Sequence, residues 1–251
     1  MSEESQALML ENQRLARELA LARAGLEDFT YSVSHDLRAS LRHVNAYVKV
    51  IEEELGEQAP PELRKHLATV GQAAAQMGRQ IDALTELSRL ARVELQGSVV
   101  DCGQLARDVA ASLSLTLGER MVEWQIAPDI APVQADAGLI RQVFEQLFAN
   151  ALKFSTSRAS ASIKLTWAAQ GNGFCALTVS DNGVGFNPQY GGKLFQAFQR
   201  LHSAREFEGM GMGLARVRKI VERHGGSVSA HGALGAGCRV SFTLPLAVPL
   251  A

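Results

Sequence analysis

The spacing of apolar residues over the first 55 positions constrains the fold most strongly. Alternating steps of four and three separate the apolar residues Leu15, Leu19, Ala22, Leu26, Phe29 and Val33. This period makes helices supercoil. The next steps, to Leu37 and then Leu41, are both four, and consecutive four-residue steps locally unwind a supercoil. The pattern predicts one helix over about residues 5–55, beginning as a coiled coil.

A second helix is predicted after the proline-containing segment "GEQAPP", because proline cannot continue a helix. This helix is expected over residues 61–95, with a seam formed by Leu63, Leu67, Val70, Ala74, Met77, Ile81, Leu84 and Leu87. Two helices in a hairpin bury only part of their apolar surface. We therefore expect two chains to complete a four-helix bundle. The alternative is a hairpin docked on its own C-terminal domain.

The remainder of the chain alternates between strand and helix patterns. Helices are predicted near residues 104–115, 136–154 and 213–224. Extended segments are predicted at 99–101, 121–126, 161–169, 174–181, 226–230 and 237–246. This order predicts an α/β layer with a mixed sheet.

Composition excludes several classes of function. The 251 residues are 47% hydrophobic and 20% charged, with a formal net charge of -1, so no basic surface for nucleic acid or an anionic membrane is expected. No apolar run approaches the roughly 20 residues that span a bilayer, and the first residues do not resemble a signal peptide, so a cytoplasmic location is expected. Three separated cysteines and scattered histidines predict neither disulfides nor a structural metal.

Two glycine-containing motifs suggest a nucleotide site. In "DNGVGF", Asp181 ends a predicted strand and can accept a hydrogen bond from an exocyclic amine, while Gly183 and Gly185 allow the backbone to approach a flat ring. In "EGMGMGL", three glycines precede a predicted helix, whose N-terminal N–H groups and dipole favour phosphate. Each motif alone is also compatible with an ordinary turn or loop.

A third motif, "NALKFS", ends the long helix predicted over residues 136–154. Asn150 and Lys153 are three residues apart and share a helix face, where they offer an oxygen ligand for a hard cation and a positive charge for phosphate. Each motif is a weak signal alone, but the three in this order and spacing form a strong one.

The motifs together resemble those of a bacterial sensor histidine kinase over about residues 25–248. "SHDLRASL" is similar to the phosphoacceptor motif of that family, "NALKFS" to its N box, "DNGVG" and "GMGMGL" to its two glycine boxes, and "KLFQAFQRLHS" to its F box. The stretches "LFQAFQRLHSAREFEG" and "VERHGG" are similar to kinases found downstream of bacterial phytochromes. The resemblance implies a coiled-coil connector at 1–24, a dimerisation and phosphotransfer domain at 25–95 and a Bergerat-type ATP-binding α/β sandwich at 99–248.

The resemblance also implies the role of each site residue. ATP should donate its γ-phosphoryl group to His35, Asp181 should bind the adenine amine, and Asn150 should hold Mg²⁺. Phosphate contacts are implied for Lys153 and Arg200. The remaining implied ATP-binding residues are Gly183, Gly185, Gly209, Gly211, Gly213 and Leu214. The implied partners are a second copy of the chain, the receiver domain of a response regulator, and an upstream sensory domain outside this sequence.

His35 lies between the seam residues Val33 and Leu37 and should face outward. The neighbouring Asp36 can fix the imidazole tautomer and stabilise developing positive charge, leaving the other ring nitrogen to attack phosphorus. His43, on the same helix, has no acidic residue after it and is expected to be a surface residue.

Four positions depart from the family pattern. Gln146 replaces an asparagine or, in related ATPases, a glutamate; an amide cannot deprotonate water, which favours transfer over hydrolysis. Met210 replaces a lid threonine, Ser40 replaces a proline, and Ala39 replaces a residue linked to phosphatase activity. An active kinase is the leading interpretation. The alternatives are a weakly catalytic nucleotide-binding scaffold dimer and a GHKL-type ATPase.

Overall fold

A computed structural model describes residues 3–56, 60–203 and 206–247 of the chain. The chain divides into two compact units, Met1–Arg89 and Leu90–Ala251. The predicted order, a helical hairpin followed by an α/β unit with a mixed sheet, is confirmed. Within the described ranges, no helix is both long and apolar enough to cross a membrane.

The N-terminal unit is built from α1 (Glu3–Leu55) and α2 (Pro61–Leu90). One stripe of the α2 seam is buried, since Leu67 and Ile81 are each 9% exposed and Ala74 is 1% exposed. Across the hairpin, Arg38 on α1 donates hydrogen bonds to the Asp82 carboxylate at 2.7 Å and to the Thr85 hydroxyl at 2.9 Å.

Helix α2 ends at Leu90, so the prediction that it continues to residue 95 is wrong. The Leu90 side chain is buried in the core of the C-terminal unit, and its carbonyl accepts a hydrogen bond from the Arg223 guanidinium at 2.7 Å. A turn follows at once. The residue that contacts the end of α2 is thus 133 residues away along the chain. Apolar periodicity alone could not predict this contact.

A second stripe of the α2 seam stays exposed. Leu63, Val70, Met77 and Leu84 follow one another at seven-residue intervals and are 37–46% exposed. On α1, Leu37, Val44 and Ile51 also follow at seven-residue intervals and are 39–48% exposed. The hairpin therefore buries one apolar stripe and leaves another exposed.

The C-terminal unit contains the remaining elements. Its helices are α3 (Cys102–Ser114), α4 (Ala137–Phe154) and α5 (Gly213–Arg223), with a 3₁₀ helix at Pro188–Lys193. Its strands are β1 (Ser98–Val100), β2 (Val122–Ile126), β3 (Val133–Ala135), β4 (Ala161–Gly171), β5 (Phe174–Asp181), β6 (Val228–Gly232) and β7 (Cys238–Pro245). The 3₁₀ helix and β3 were not predicted from the sequence.

The main sheet has the order β2-β4-β5-β7-β6, and β1 pairs with β3 in a separate two-stranded sheet. In the main sheet, β2 pairs with β4 in parallel, and the other neighbouring strands pair antiparallel. One face of β5 is apolar and buried, whereas Thr178 on its other face bonds the Ser241 hydroxyl at 2.8 Å. The aromatic rings of Phe144, Phe148 and Phe242 are fully buried between α4 and the sheet. This core holds the end of α4 beside the end of β5.

Candidate active site

A cavity of about 330 Å³ lies in the C-terminal unit, beside the last turns of α4 and the first turn of α5. Residues 199–202 and 207–213 form another wall, and we call these two stretches the lid segment. Most of the predicted ATP-binding residues line this cavity, namely Asn150, Lys153, Asp181, Gly185, Arg200, Gly209, Gly211, Gly213 and Leu214. The structure thus brings together three motifs that are separated along the chain.

Asp181 provides a hydrogen-bond acceptor at the wall of the cavity. Its Oδ1 atom accepts hydrogen bonds from the backbone N–H of Gly183 at 2.8 Å and of Cys238 at 3.3 Å. Burial raises the pKa of the Asp181 carboxyl, while these two hydrogen bonds act in the opposite direction. The carboxylate is therefore held in one orientation by backbone on both sides, with acceptor capacity left for a ligand.

The loop after β5 needs glycine at two positions. A Cβ atom on Gly183 would lie 2.6 Å from the Phe154 carbonyl oxygen, although Gly183 itself is not part of the cavity wall. Gly185 has a φ of +64°, and a Cβ atom there would overlap the Ala233 carbonyl. These close approaches explain the glycines of "DNGVGF" through backbone packing against two neighbouring segments.

Two cations line the cavity, namely Lys153 on α4 and Arg200 in the lid segment. Lys153 donates to the Glu208 carbonyl at 3.2 Å, and Arg200 donates to the Phe207 carbonyl at 2.6 Å. Burial and, secondarily, the nearby charge of Arg200 lower the pKa of Lys153. Two like charges held close together favour a polyanionic ligand, because such a ligand relieves their repulsion.

Asn150 can supply an oxygen ligand for a metal ion. Its Oδ1 accepts a hydrogen bond from Gln146 Nε2 at 3.3 Å, and the Gln146 side chain packs against the backbone of Gly213. A single amide oxygen fits Mg²⁺, which usually keeps several waters and binds few protein groups when phosphate oxygens are present. The donor set is therefore compatible with a Mg²⁺ ion that arrives with a polyphosphate.

Helix α5 begins at the cavity. Its N-cap residue Met212 makes no side-chain capping hydrogen bond, so the N–H groups of the first turn lack that partner. The helix dipole adds positive potential at the same end. This helix end is suited to bind phosphate oxygens together with the two cations.

His35 lies on α1 in the N-terminal unit, with its side chain 64% exposed, so it faces outward as expected. Its Nδ1 atom lies 3.2 Å from Asp36 Oδ1. The preceding residue, Ser34, is buried. The hairpin therefore presents the imidazole to solvent with one ring nitrogen already paired to a carboxylate.

Two protein families match this chain. Residues 26–92 match the His Kinase A (phospho-acceptor) domain, and residues 135–248 match the histidine kinase-, DNA gyrase B-, and HSP90-like ATPase family. The chain belongs to the sensor histidine kinases. The predicted resemblance to the catalytic core of a sensor histidine kinase is therefore confirmed.

Individual histidine kinases and phytochromes are similar to this chain. Phytochrome-like protein Cph1 of Synechocystis sp. is 30% identical over 233 residues, covering 93% of this chain and 31% of that protein. Cyanobacterial phytochrome B of Nostoc sp. is 32% identical over 228 residues, covering 90% of this chain and 30% of that protein. The structure of ShkA full-length in complex with AMPPNP matches with a TM-score of 0.60 and 25% identity, covering 89% of this chain and 47% of that chain. The chain spans about a third of the length of these curated relatives.

This histidine kinase core contains site-associated residues for which the sequence suggested no role. His202 belongs to the F-box stretch; its Nε2 atom lies 2.9 Å from the Gly185 carbonyl oxygen, and its ring contacts those of Phe154 and Phe207 at 5.4 and 5.3 Å between centroids. Cys238 lines the cavity, and burial raises the pKa of its thiol to about 12, with the Asp181 charge as a smaller cause.

The structure also shows the surroundings of residues that depart from the family pattern. Ser40 continues the helix and donates its hydroxyl to the Asp36 carbonyl at 3.1 Å. Met210 lines the cavity and is 37% exposed, so it offers an apolar contact where a hydroxyl is usual. Ala39 is half-buried, four residues after His35.

Proposed function

We propose that this core binds ATP with Mg²⁺, phosphorylates itself on His35 and passes the phosphoryl group to an aspartate of a response regulator receiver domain. The observation that carries the proposal is the exposed His35, whose Nδ1 atom is paired with Asp36. A histidine kinase needs a nucleophilic imidazole that a mobile nucleotide site can reach. The cavity residues supply the nucleotide site.

The cavity offers a complementary group for each part of ATP. Asp181 would accept a hydrogen bond from the adenine amine, and the carboxylate charge makes that bond stronger than a neutral one. Lys153, Arg200 and the N-terminus of α5 would bind the triphosphate. Asn150 would hold Mg²⁺, which neutralises phosphate charge when it is bound.

The transfer chemistry follows from the pairing of His35 with Asp36. A carboxylate can only accept, so the contact with Asp36 favours the tautomer with the proton on Nδ1 and the lone pair on Nε2. Nε2 forms a bond to the γ-phosphorus, the bond from that phosphorus to the bridging β–γ oxygen breaks, and ADP leaves. Asp36 stabilises the positive charge that develops on the imidazole. In the second transfer, an aspartate oxygen of the regulator bonds the phosphorus, the bond from phosphorus to Nε2 breaks, and neutral His35 is regenerated.

We further propose that two copies of the chain form a parallel homodimer through the hairpin. The exposed stripes on α1 and α2 repeat every seven residues, which is the spacing of a coiled-coil seam. A second hairpin with the same stripes would cover them and complete a four-helix bundle. The His Kinase A match over residues 26–92 supports this assembly.

Incubation with γ-labelled ATP tests the kinase function. The wild type should acquire acid-labile label, and His35→Gln should acquire none. His43→Gln is the matched control, because His43 is an exposed histidine on the same helix that lacks an acidic residue after it. ATP binding without label would favour the scaffold, and steady phosphate release would favour the ATPase. Label that persists in His35→Gln would place the phosphoacceptor elsewhere.

Replacing Asp36 by Asn separates transfer from binding. Because the carboxylate acts on the imidazole, we expect autophosphorylation to slow by about tenfold or more while the Kd for ATP stays nearly unchanged. Single-turnover labelling and calorimetry measure the two quantities. A large loss of ATP affinity would contradict the role assigned to Asp36.

The domain limits at 25–95 and 99–248, the upstream sensory domain and the cytoplasmic location stay predictions from the sequence. The regulator is likewise proposed by its chemistry, as a receiver domain with an acceptor aspartate. Limited proteolysis would test the domain limits directly, with cleavage expected within residues 91–98.

A further inference from the structure

We propose that Arg158 is a positioning residue for adenine recognition, because it holds the backbone that orients Asp181. This inference rests on the proposed function, in which Asp181 binds the adenine amine. Arg158 follows α4 and does not line the cavity. It would therefore act on the nucleotide only through the loop after β5.

The Arg158 guanidinium donates to carbonyl oxygens on two separate segments. Its Nε atom donates to the Asn182 carbonyl at 2.8 Å, and its Nη2 atom donates to the Gly183 carbonyl at 3.1 Å. The same Nη2 atom donates to the Gly235 carbonyl at 2.7 Å. One side chain thus connects the loop after β5 with the turn between β6 and β7.

The hydrogen bond from Arg158 to the Asn182 carbonyl is linked through one peptide group to Asp181, the proposed adenine-binding carboxylate. The Asn182 carbonyl and the Gly183 N–H belong to the same peptide group, and that N–H donates to Asp181 Oδ1 at 2.8 Å. A hydrogen bond from a cation to a peptide carbonyl polarises the peptide and strengthens its N–H as a donor. Arg158 therefore reinforces the hydrogen bond that orients Asp181.

The contact with Gly235 acts from the other side of Asp181. The turn that contains Gly235 leads into β7, whose first residue, Cys238, donates the second backbone hydrogen bond to Asp181 Oδ1 at 3.3 Å. The Gly235 N–H also donates to the Val184 carbonyl at 2.7 Å. Arg158 thus fastens together the two segments that provide the donors to the carboxylate.

The geometry requires the planar fork of arginine. Nε and Nη2 lie in one plane and reach three carbonyl oxygens on two segments. A lysine ammonium is a compact charge on a flexible stem, so it can neutralise the loop but cannot hold all three carbonyls in this arrangement. Lysine should therefore rescue only part of the effect.

The test compares two nucleotides that differ only in the adenine amine. ATP and purine riboside triphosphate, which lacks that amine, are titrated by calorimetry into the wild type, Arg158→Met and Arg158→Lys. Arg107→Met is the matched control, since Arg107 is exposed on α3 and contacts only the Gln104 side chain among the hydrogen bonds described. Thermal melting of each nucleotide-free variant verifies that folding is retained.

We expect Arg158→Met to weaken ATP binding about fivefold while changing the affinity for the amine-free analogue less than about twofold. Arg158→Lys should lie between Arg158→Met and the wild type, and Arg107→Met should match the wild type. An equal loss of affinity for both nucleotides would show that Arg158 stabilises the loop without favouring adenine recognition, and would overturn the proposal. No loss of affinity for either nucleotide would also overturn it. A wild type that binds both nucleotides equally would instead overturn the adenine role of Asp181 itself.

Discussion

The helical hairpin and the C-terminal unit bury their apolar residues in different ways. The hairpin buries small and medium side chains along one stripe, such as Ala74 and Leu67, and leaves a second apolar stripe exposed. The C-terminal unit encloses three fully buried phenylalanines between its helices and its sheet. The hairpin thus leaves apolar surface that a further helix surface could cover, whereas the core of the C-terminal unit is complete within one chain.

The largest effect should come from the core of the C-terminal unit. Phe148→Ala removes a fully buried ring that lies 5.0 Å from the ring of Trp124, and should reduce the free energy of unfolding of this unit by about 3–5 kcal/mol. Both tryptophans of the chain, Trp124 and Trp167, are in this unit, so their fluorescence in denaturant reports its unfolding alone.

Leu115→Ala is the matched control, because Leu115 is 89% exposed and its truncation should be nearly neutral. Sedimentation should show that Phe148→Ala stays dimeric under native conditions. Loss of the dimer in Phe148→Ala would show that the two units do not depend on separate cores, which would break the comparison.

The exposed stripe of the hairpin gives the second largest effect. Met77→Glu places a charge in each copy at the proposed dimer seam and should weaken dimerisation by about 3 kcal/mol. ATP affinity should be unchanged, because the cavity lies in the other unit. Gln76→Glu is the control, since it adds the same charge at an exposed polar position one residue away. Equal dimerisation of both variants in sedimentation would remove this stripe from the interface.

The sequence predicted correctly those elements in which apolar residues repeat with a helix or strand period over many positions. The hairpin, α4 and the paired strands β4 and β5 all follow from apolar spacing. The cavity residues were found because their motifs resemble a known family, and the fold brings those motifs together. The longest elements and the motif-bearing loops were therefore predictable.

Contacts distant along the chain were not predictable. Arg158 is 24, 25 and 77 residues from its three carbonyl partners, and backbone carbonyls carry no residue-specific signal. The contact of His202 with Gly185 and the end of α2 at Leu90 also depend on which segments the fold brings together. These contacts can be identified only from the three-dimensional structure, because neither the spacing nor the type of the residues involved predicts them.

A third prediction separates ATP binding from stability within the C-terminal unit. Asp181→Asn should weaken ATP binding by about 1.5–3 kcal/mol, because a charge-assisted hydrogen bond to the amine is lost. Folding raises the pKa of Asp181, so its ionised form disfavours the folded state, and stability is lost as pH rises through that pKa.

Without nucleotide, Asp181→Asn should therefore melt at a higher temperature than the wild type at neutral pH. The difference should vanish below about pH 4, where the wild-type carboxyl is protonated in both the folded and unfolded states. Melting curves over this pH range, with and without ATP, measure both effects. A variant that melts lower than the wild type at neutral pH without ATP would contradict this account, and sedimentation should remain dimeric throughout.

The smallest effect concerns the hairpin alone. A residue four positions after the phosphoacceptor lies on the same helix face, and the methyl group of Ala39 can neither donate to nor accept from a water there. Because orientation of that water contributes to catalysis, we expect the wild type to accelerate dephosphorylation of its regulator poorly and Ala39→Thr to do so a few-fold better. Autophosphorylation should not change, since the nucleotide cavity is untouched.

Purified phospho-regulator without ADP, incubated with no kinase, wild type or Ala39→Thr, provides the measurement. The absence of ADP excludes apparent dephosphorylation by back-transfer, in which His35 passes the phosphoryl group to ADP and forms ATP. Strong stimulation by the wild type that Ala39→Thr does not increase would show that another group positions the water.

The uninterrupted course of α1 affects how a mechanical signal travels. The helix runs for 53 residues, about 80 Å at 1.5 Å per residue, and contains no proline. Near His35 the hydroxyl of Ser40 adds a donor to the Asp36 carbonyl, where a proline would have removed one. The only glycine of this helix, Gly25, lies ten residues before His35 and is its most easily bent point. A twist or push applied at the start of α1 would therefore reach His35, the proposed phosphoacceptor, as a movement of the whole helix, with bending concentrated at Gly25.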